Sequence, residues 1–135
     1  MRGKAVFDSG VIFAIFFEEA ASERAARAAG ECRPITLDLA VSEVGNAAWK
    51  RVAFFQERED AARLSLSKCL EFIASCALIR SSDLAAQAFE ISLETKTTFY
   101  DSLFLAAAEQ ENVPLFTLDK KMCQSAGTKY NVQML

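Results

Sequence analysis

Ala5-Val6-Phe7-Asp8 is an apolar run that ends in an aspartate, and Leu115-Phe116-Thr117-Leu118-Asp119 is a second such run near the other end of the chain. Short apolar runs rich in branched and aromatic residues indicate buried strands. If the two strands are parallel neighbours, their carboxyl ends lie at one edge of a sheet, where the two aspartates meet. Glu43 and Asp101 lie early in two strong helical patterns, and helices leaving that edge would carry both acids into the same crevice.

The predicted cluster of Asp8, Glu43, Asp101 and Asp119 needs a compensating positive charge. Two unit charges about 5 Å apart repel by roughly 3 kcal/mol at an effective dielectric constant of about 20. A hard divalent cation is the usual compensation, and Mg²⁺ and Mn²⁺ both prefer oxygen ligands. The four acids therefore predict a metal site at this edge of the sheet.

Each acid also has a purely structural interpretation. Asp8 and Asp119 precede helices and can cap them. Glu43 suits the first turn of a helix, where the helix dipole favours a negative charge. Asp101 follows Thr98 at the spacing of a capping box. No single signal is specific, and only the four together, with their spacing, indicate chemistry.

Two polar residues share a helix face with Glu43. Asn46 and Lys50 follow it at three and seven residues, which places a carboxylate, an amide and an ammonium on one stripe. Such a stripe suits a metal with a phosphate, and it equally suits a solvated face.

Composition narrows the function classes. The length of 135 residues predicts one domain spanning 1–135, and the 52% hydrophobic and 24% charged residues are typical of a soluble globular protein. The net charge of −3 argues against a broad phosphate-binding surface. It is compatible with a nuclease, because a bound metal reverses the local sign of an acidic site.

Other signals exclude several classes of site and location. The chain has no histidine and no C-x-x-C pair, which removes the common zinc arrangements and every histidine-based triad. The nearly uncharged stretch 10–17 is too short to span a bilayer, and the acids on either side of it argue against a secretory signal. These features predict an intracellular, cytoplasmic protein.

Strands that alternate with helical segments predict parallel β-α-β units and an α/β fold. Ser9 is predicted to cap the first helix, and Gly30 to end the second. The predicted strands are 4–8, 34–37, 77–80, 113–118 and 131–135. The predicted helices are 9–17, a following segment to about 29, 38–55, 57–76, 83–96, 99–112 and 120–126.

Large apolar residues are predicted to fill the core. For five of the eleven phenylalanines the alternative is a homodimer surface or a groove for a partner. The predicted core residues are Phe13, Phe16, Phe17, Phe54, Phe55, Leu64, Leu66, Leu70 and Ile73.

The chain as a whole resembles the PIN-domain family and, within it, the VapC toxins of toxin–antitoxin pairs. The resemblance covers essentially the whole sequence and keeps the order and approximate spacing of the family's acids. The matching stretches are Val6-Phe7-Asp8-Ser9-Gly10, Ser42-Glu43-Val44-Gly45-Asn46-Ala47-Ala48-Trp49-Lys50, Tyr100-Asp101-Ser102-Leu103-Phe104-Leu105-Ala106-Ala107-Ala108 and Phe116-Thr117-Leu118-Asp119-Lys120-Lys121.

The resemblance implies a three-layer α/β/α sandwich with a central, mainly parallel sheet. It implies a Mg²⁺- or Mn²⁺-dependent endoribonuclease that hydrolyses RNA with a metal-activated water. It also implies a homodimer and a small cognate antitoxin whose tail occupies the acidic groove. The positions that match the family's acids are Asp8, Glu43, Asp101 and Asp119, and those that match its supporting polar residues are Ser9, Asn46 and Thr117.

Three other interpretations compete. A catalytically idle PIN-like module would use the same fold to bind protein or RNA, and a PIN nuclease of RNA processing would share the chemistry without being a toxin. A receiver-like phosphoacceptor domain also has an acidic Mg²⁺ site, but it needs an acidic pair after the first strand. Here Asp8 is followed by Ser9 and Gly10.

Overall fold

A five-stranded parallel sheet forms the centre of the protein, which the computed structural model describes for residues 2–135. The strands lie in the order β3-β2-β1-β4-β5, and every neighbouring pair is parallel. In chain order they are β1 (Lys4–Phe7), β2 (Arg33–Leu37), β3 (Ala77–Ile79), β4 (Leu115–Thr117) and β5 (Val132–Met134). The chain builds outwards from β1 to β3 and then continues on the opposite side of β1 with β4. A crevice is expected at the carboxyl ends of the strands where this reversal occurs.

Helices connect the strands and cover both faces of the sheet. Those described within 2–135 are α1 (Ser9–Phe16), α2 (Ser22–Glu31), α3 (Leu39–Phe55), α4 (Glu59–Ser75), α5 (Ser81–Thr95), α6 (Phe99–Glu111) and α7 (Lys120–Ala126). In this part of the chain, no helix has both the length and the apolar character that crossing a bilayer requires.

Successive residues of β1 point into two different cores. Ala5 and Phe7 pack with residues of α1, α2, α3 and α4, whereas Val6 packs with residues of α5, α6 and α7. This alternation follows from the two-residue period of a strand, and it explains why β1 is apolar on both faces. The three-layer α/β/α sandwich with a parallel sheet is therefore confirmed.

Two predicted helix ends are wrong. Asp8, and not Ser9, caps α1, because its side chain accepts a hydrogen bond from the Val11 N–H while Ser9 is already helical. Gly30 lies inside α2, which continues to Glu31 and ends in extended backbone at the next residue. Such an end needs no left-handed residue, so the conformational freedom of glycine is not used there.

The core prediction is correct for only part of the phenylalanine set. Phe13 and Phe17 are buried and stack with ring centroids 4.0 Å apart, and Phe16 is half-buried against the same core. Phe54 and Phe55 were predicted in the core but are 66% and 71% exposed. They lie at the C-terminal end of α3, in its last turn.

The core prediction is also wrong for two leucines of α4. The buried stripe of this helix consists of Ala62, Cys69 and Ile73, with Leu66 packed partly against the same core. These positions follow the helical spacing of three and four residues. Leu64 and Leu70 fall off that stripe, and they are 59% and 38% exposed.

Candidate active site

Asp8 lies directly after β1 and caps α1. Its backbone N–H donates to the Phe116 carbonyl at 3.3 Å, which fixes it beside β4. One carboxylate oxygen, Oδ1, accepts a hydrogen bond from the Val11 N–H at 3.0 Å. The residue is only 7% exposed. The backbone therefore holds this carboxylate in a fixed position at the predicted edge of the sheet.

Asp119 follows β4 and caps α7. Its Oδ1 accepts hydrogen bonds from the N–H groups of Lys121 and Met122 at 2.9 and 3.2 Å. The buried Thr117 influences both aspartates: its hydroxyl oxygen accepts a hydrogen bond from the Asp119 N–H at 3.0 Å, and its hydroxyl lowers the pKa of the Asp8 carboxyl. Thr117 therefore holds the backbone of Asp119 at the end of β4.

Glu43 and Asp101 reach the same edge from α3 and α6. The Ser9 hydroxyl donates to Glu43 Oε1 at 2.7 Å, so this bond connects α1 to α3. Thr98 caps α6 by accepting from the backbone N–H of Asp101 at 3.1 Å. That cap uses the main chain of Asp101, and its side chain lines the cleft.

A cleft of about 380 Å³ brings all four acids together. It opens where β1 and β4 end, which is the reversal point of the sheet. Asp8, Glu43, Asp101 and Asp119 line it with Ser9, Gly10, Phe13, Glu19, Ala47, Phe104 and Leu118.

Burial and like charges raise the pKa of three of these carboxyls. Burial raises the pKa of Asp8 to about 7, and the charges of Asp101 and Glu43 add to this, against the lowering effect of the hydrogen bonds from Thr117 and the Val11 N–H. Burial also raises the pKa of Glu43 and of Asp101, with a further rise from Asp101 and Asp119 respectively. The cluster is short of positive charge, and a bound cation would lower each of these pKa values.

The donor atoms of the cleft are of the type that a hard cation prefers. All four acids are carboxylates, and their polar neighbours Ser9 and Thr117 carry hydroxyls, which is the oxygen chemistry that Mg²⁺ and Mn²⁺ prefer. As the side chains stand between residues 2 and 135, no three from His, Cys, Asp and Glu are close enough together to hold a metal ion. Mg²⁺ commonly uses one or two carboxylates and keeps several waters, so the residues present fit this ion by chemistry.

Sequence reasoning missed a fifth acid. Glu19 lines the cleft, and its Oε2 pairs with Arg51 Nη2 at 3.2 Å. Arg51 also pairs with Glu57 at 3.4 Å, and its guanidinium lies 5.4 Å from the centre of the Phe13 ring. Glu19 lies in the connection between α1 and α2, which the sequence pattern predicted as part of the second helix, so no signal placed this acid at the cleft.

Asn46 and Lys50 lie beside the cleft. They line an adjoining depression with Glu43, and the exposed ring of Tyr100 forms part of the same wall. The predicted stripe of α3 therefore exists, but only Glu43 belongs to the acidic cleft itself. Tyr100 was not predicted as a site residue, although it directly precedes Asp101.

Known proteins are similar to this chain in sequence and in fold. The family model described as PIN domain matches residues 5–127. The chain is 34% identical over 122 residues to Ribonuclease VapC3 of Pyrobaculum aerophilum. This match covers 90% of this chain and 93% of the relative. A crystal structure of a Pyrobaculum aerophilum protein superposes with a TM-score of 0.71 at 23% identity, covering 91% of this chain and 79% of that one. A toxin–antitoxin complex from Klebsiella pneumoniae gives a TM-score of 0.70 at 17% identity, covering 96% of each chain. The chain belongs to the PIN domain family, as its sequence resemblance predicted.

Proposed function

We propose that the protein is a divalent-metal-dependent endoribonuclease and the toxin component of a VapBC-type toxin–antitoxin pair. The observation that carries the proposal is the convergence of Asp8, Glu43, Asp101 and Asp119 on one cleft at the reversal point of a parallel sheet. The likeness of this chain to a ribonuclease over 90% of its length supports RNA as the substrate.

In this proposal the carboxylates of Asp8, Asp101, Asp119 and Glu43 would hold Mg²⁺ or Mn²⁺. The chemistry that a bound ion would supply is a more acidic water for attack on the phosphodiester and a positive charge that offsets the charge on the phosphate. The chain has no histidine, and the proposal assigns the role of nucleophile to no side chain.

The protein's own contribution is to fix the carboxylates in advance. The backbone N–H of Val11 holds Asp8, and the first turn of α7 holds Asp119. The Ser9 hydroxyl holds the Glu43 carboxylate, and the Thr117 hydroxyl holds the backbone N–H of Asp119. Because these positions are set by helix caps and short hydrogen bonds, little reorganisation is needed when substrate and ion arrive.

The test is cleavage of varied single-stranded RNAs by the purified chain, with and without Mn²⁺, beside Asp101→Asn. The expected result is metal-dependent cutting that Asp101→Asn abolishes while its circular dichroism spectrum stays native. Asp60→Asn is the matched control, because Asp60 is an exposed acid of α4 outside the cleft, and it should cut at the wild-type rate.

Two results would contradict the proposal. Cutting by Asp101→Asn at the wild-type rate would place the reaction elsewhere. Metal binding at the acids without turnover of any RNA would favour an idle binding module. Growth arrest by the expressed wild type, relieved by Asp101→Asn, would distinguish a toxin from a nuclease of RNA processing.

The proposal includes two protein partners and a cytoplasmic location. A small antitoxin is supported by the similar fold within a toxin–antitoxin complex from Klebsiella pneumoniae. A homodimer is supported by the exposed aromatic side chains of Trp49, Phe54 and Phe55 near the end of α3, since exposed apolar patches mark protein interfaces.

A further inference from the structure

A depression of about 430 Å³ adjoins the acidic cleft. Glu43 and Ala47 line both, so that the two form one continuous surface. The volume lies within the range of about 300–1,000 Å³ that is usual for ligand sites. A chain molecule that crosses the acids would therefore extend into this depression.

Tyr100 lines the depression with an exposed side chain. It lies in the first turn of α6 and is 59% exposed, whereas the residues of that helix from Ser102 to Ala108 are all buried. An exposed ring beside a hydrolytic cleft can stack on an unpaired nucleobase, and single-stranded nucleic acids are commonly held in this way.

Lys50 lines the same depression with a positively charged side chain. It is exposed, and within residues 2–135 no carboxylate forms an ion pair with it. The adjacent Arg51, by contrast, is held by Glu19 and Glu57. On a chain with a net charge of −3, a free ammonium beside the carboxylates is suited to a phosphate group.

Asn46 lies between the acid and the lysine on the same face of α3. Its side chain is exposed in the depression and carries both donors and an acceptor. A neutral amide of this kind can bond to the edge of a base, a contact that neither the ring of Tyr100 nor the ammonium of Lys50 supplies.

We propose that this depression binds one nucleotide of single-stranded RNA next to the cleaved bond, an inference that rests on the proposed ribonuclease function. Tyr100 stacks on the base, Asn46 bonds to its edge, and Lys50 contacts a phosphate. The substrate class is single-stranded RNA, because bases stacked in a duplex present no free face to the ring. Tyr100 acts in binding, and the reacting groups remain those of the acidic cleft.

The first experiment measures kcat and KM with a single-stranded oligoribonucleotide of about ten nucleotides, within the usual site sizes. Because Tyr100→Ala loses the stacking of one base, we expect it to raise KM about tenfold with kcat little changed. Tyr100→Phe keeps the ring and should behave as wild type. Phe89→Ala removes a comparably exposed ring of α5 that lines neither the acidic cleft nor the depression, and it should have no effect. An unchanged KM for Tyr100→Ala would overturn the proposal.

A second experiment locates the stacked base. The same oligonucleotide is made with one abasic position, which is moved along the strand, and binding is followed by fluorescence anisotropy in EDTA, where metal-dependent cutting cannot occur. For the wild type, one position should cost about tenfold in affinity, and Tyr100→Ala should lose nothing further at that position. Equal losses in both proteins, or no position-dependent loss, would contradict the proposal.

A third experiment tests the phosphate contact of Lys50, and two cleavage results then separate this inference from the proposed function. Lys50→Ala should reduce the slope of log affinity against log salt by about 0.7, the value for one phosphate of a single strand. If the wild type cuts RNA while Tyr100→Ala is unaffected, the ribonuclease stands and the nucleotide site fails. If the wild type cuts no RNA, the ribonuclease fails, and the abasic series still decides by binding whether the nucleotide site exists.

Discussion

At the scale of single residues, Asp8 and Asp119 each perform a structural and a chemical task with one carboxylate. Each caps a helix through Oδ1, and each lines the acidic cleft. The structural and functional interpretations of these acids are therefore not exclusive. A helix cap fixes the position of a side chain that a metal site would require to be rigid.

Replacement of Asp8 by asparagine separates these tasks. Asparagine keeps an acceptor for the Val11 N–H and removes the buried carboxyl group, whose pKa is raised to about 7. In EDTA we expect Asp8→Asn to melt at or above the wild-type temperature, because desolvation and repulsion no longer oppose folding. Saturating Mn²⁺ should stabilise the wild type, by about 2.7 kcal/mol at a hundred times Kd, and leave the variant unchanged. Thermal unfolding with and without Mn²⁺ measures both effects.

Asp8→Ala is the control for that experiment. It removes the charge and the cap together, and loss of an N-cap costs about 1 kcal/mol. Equal destabilisation of Asp8→Asn and Asp8→Ala in EDTA would show that the charge of this buried carboxylate does not oppose folding.

At the scale of helices and strands, features set by local pattern were predictable and features set by distant contacts were not. The parallel pairing of β1 with β4 follows from two apolar runs that end in acids. The start of α5 at Ser81, two residues before its predicted start, depends on Asp38, whose Oδ1 accepts from the Ser81 N–H at 2.9 Å. A bond across 43 residues has no local signature. The positive φ of Gln56, which ends α3, is similarly unmarked in the sequence.

Asp38 joins two elements, and its charge should make their stability depend on pH. It caps α3 through the Leu39 N–H, and the hydrogen bond from the Ser81 hydroxyl is the main cause that lowers its pKa. Because the pKa of Asp38 is lowered on folding, its ionised carboxylate stabilises the protein above the unfolded-state pKa of 3.8. This stabilisation is lost as the pH falls through the folded-state pKa.

Asp38→Ala should therefore cost about 1 kcal/mol of folding free energy at neutral pH, and the difference from wild type should shrink below about pH 4. Urea unfolding at several pH values measures this difference. A difference that stays constant into acid would show that the charge of Asp38 contributes nothing.

At the scale of the whole molecule, the acidic cleft and the exposed aromatic groups lie near one another on α3. Phe55 lines a depression with Glu19 and Arg51, and Glu19 also lines the acidic cleft. Phe54 and Phe55 were predicted to be buried because they are large and apolar. Apolar character alone does not show whether a side chain packs inside its own chain or against a partner. The alternative weighed for them, a surface for a protein partner, is the one that their exposure supports.

The last prediction concerns that surface. Because Phe54 and Phe55 are 66% and 71% exposed, replacing both with serine removes little packing inside the chain, and the melting temperature should change by no more than a few degrees. If they form the homodimer surface, light scattering should give about twice 14.8 kDa for the wild type and about 14.8 kDa for the double variant. Leu93→Ser is the matched control, since Leu93 is 62% exposed on α5, in the opposite helical layer. A dimer that survives in the double variant and is lost in Leu93→Ser would move the interface to the other face of the sheet, and the end of α3 would then be free for the antitoxin.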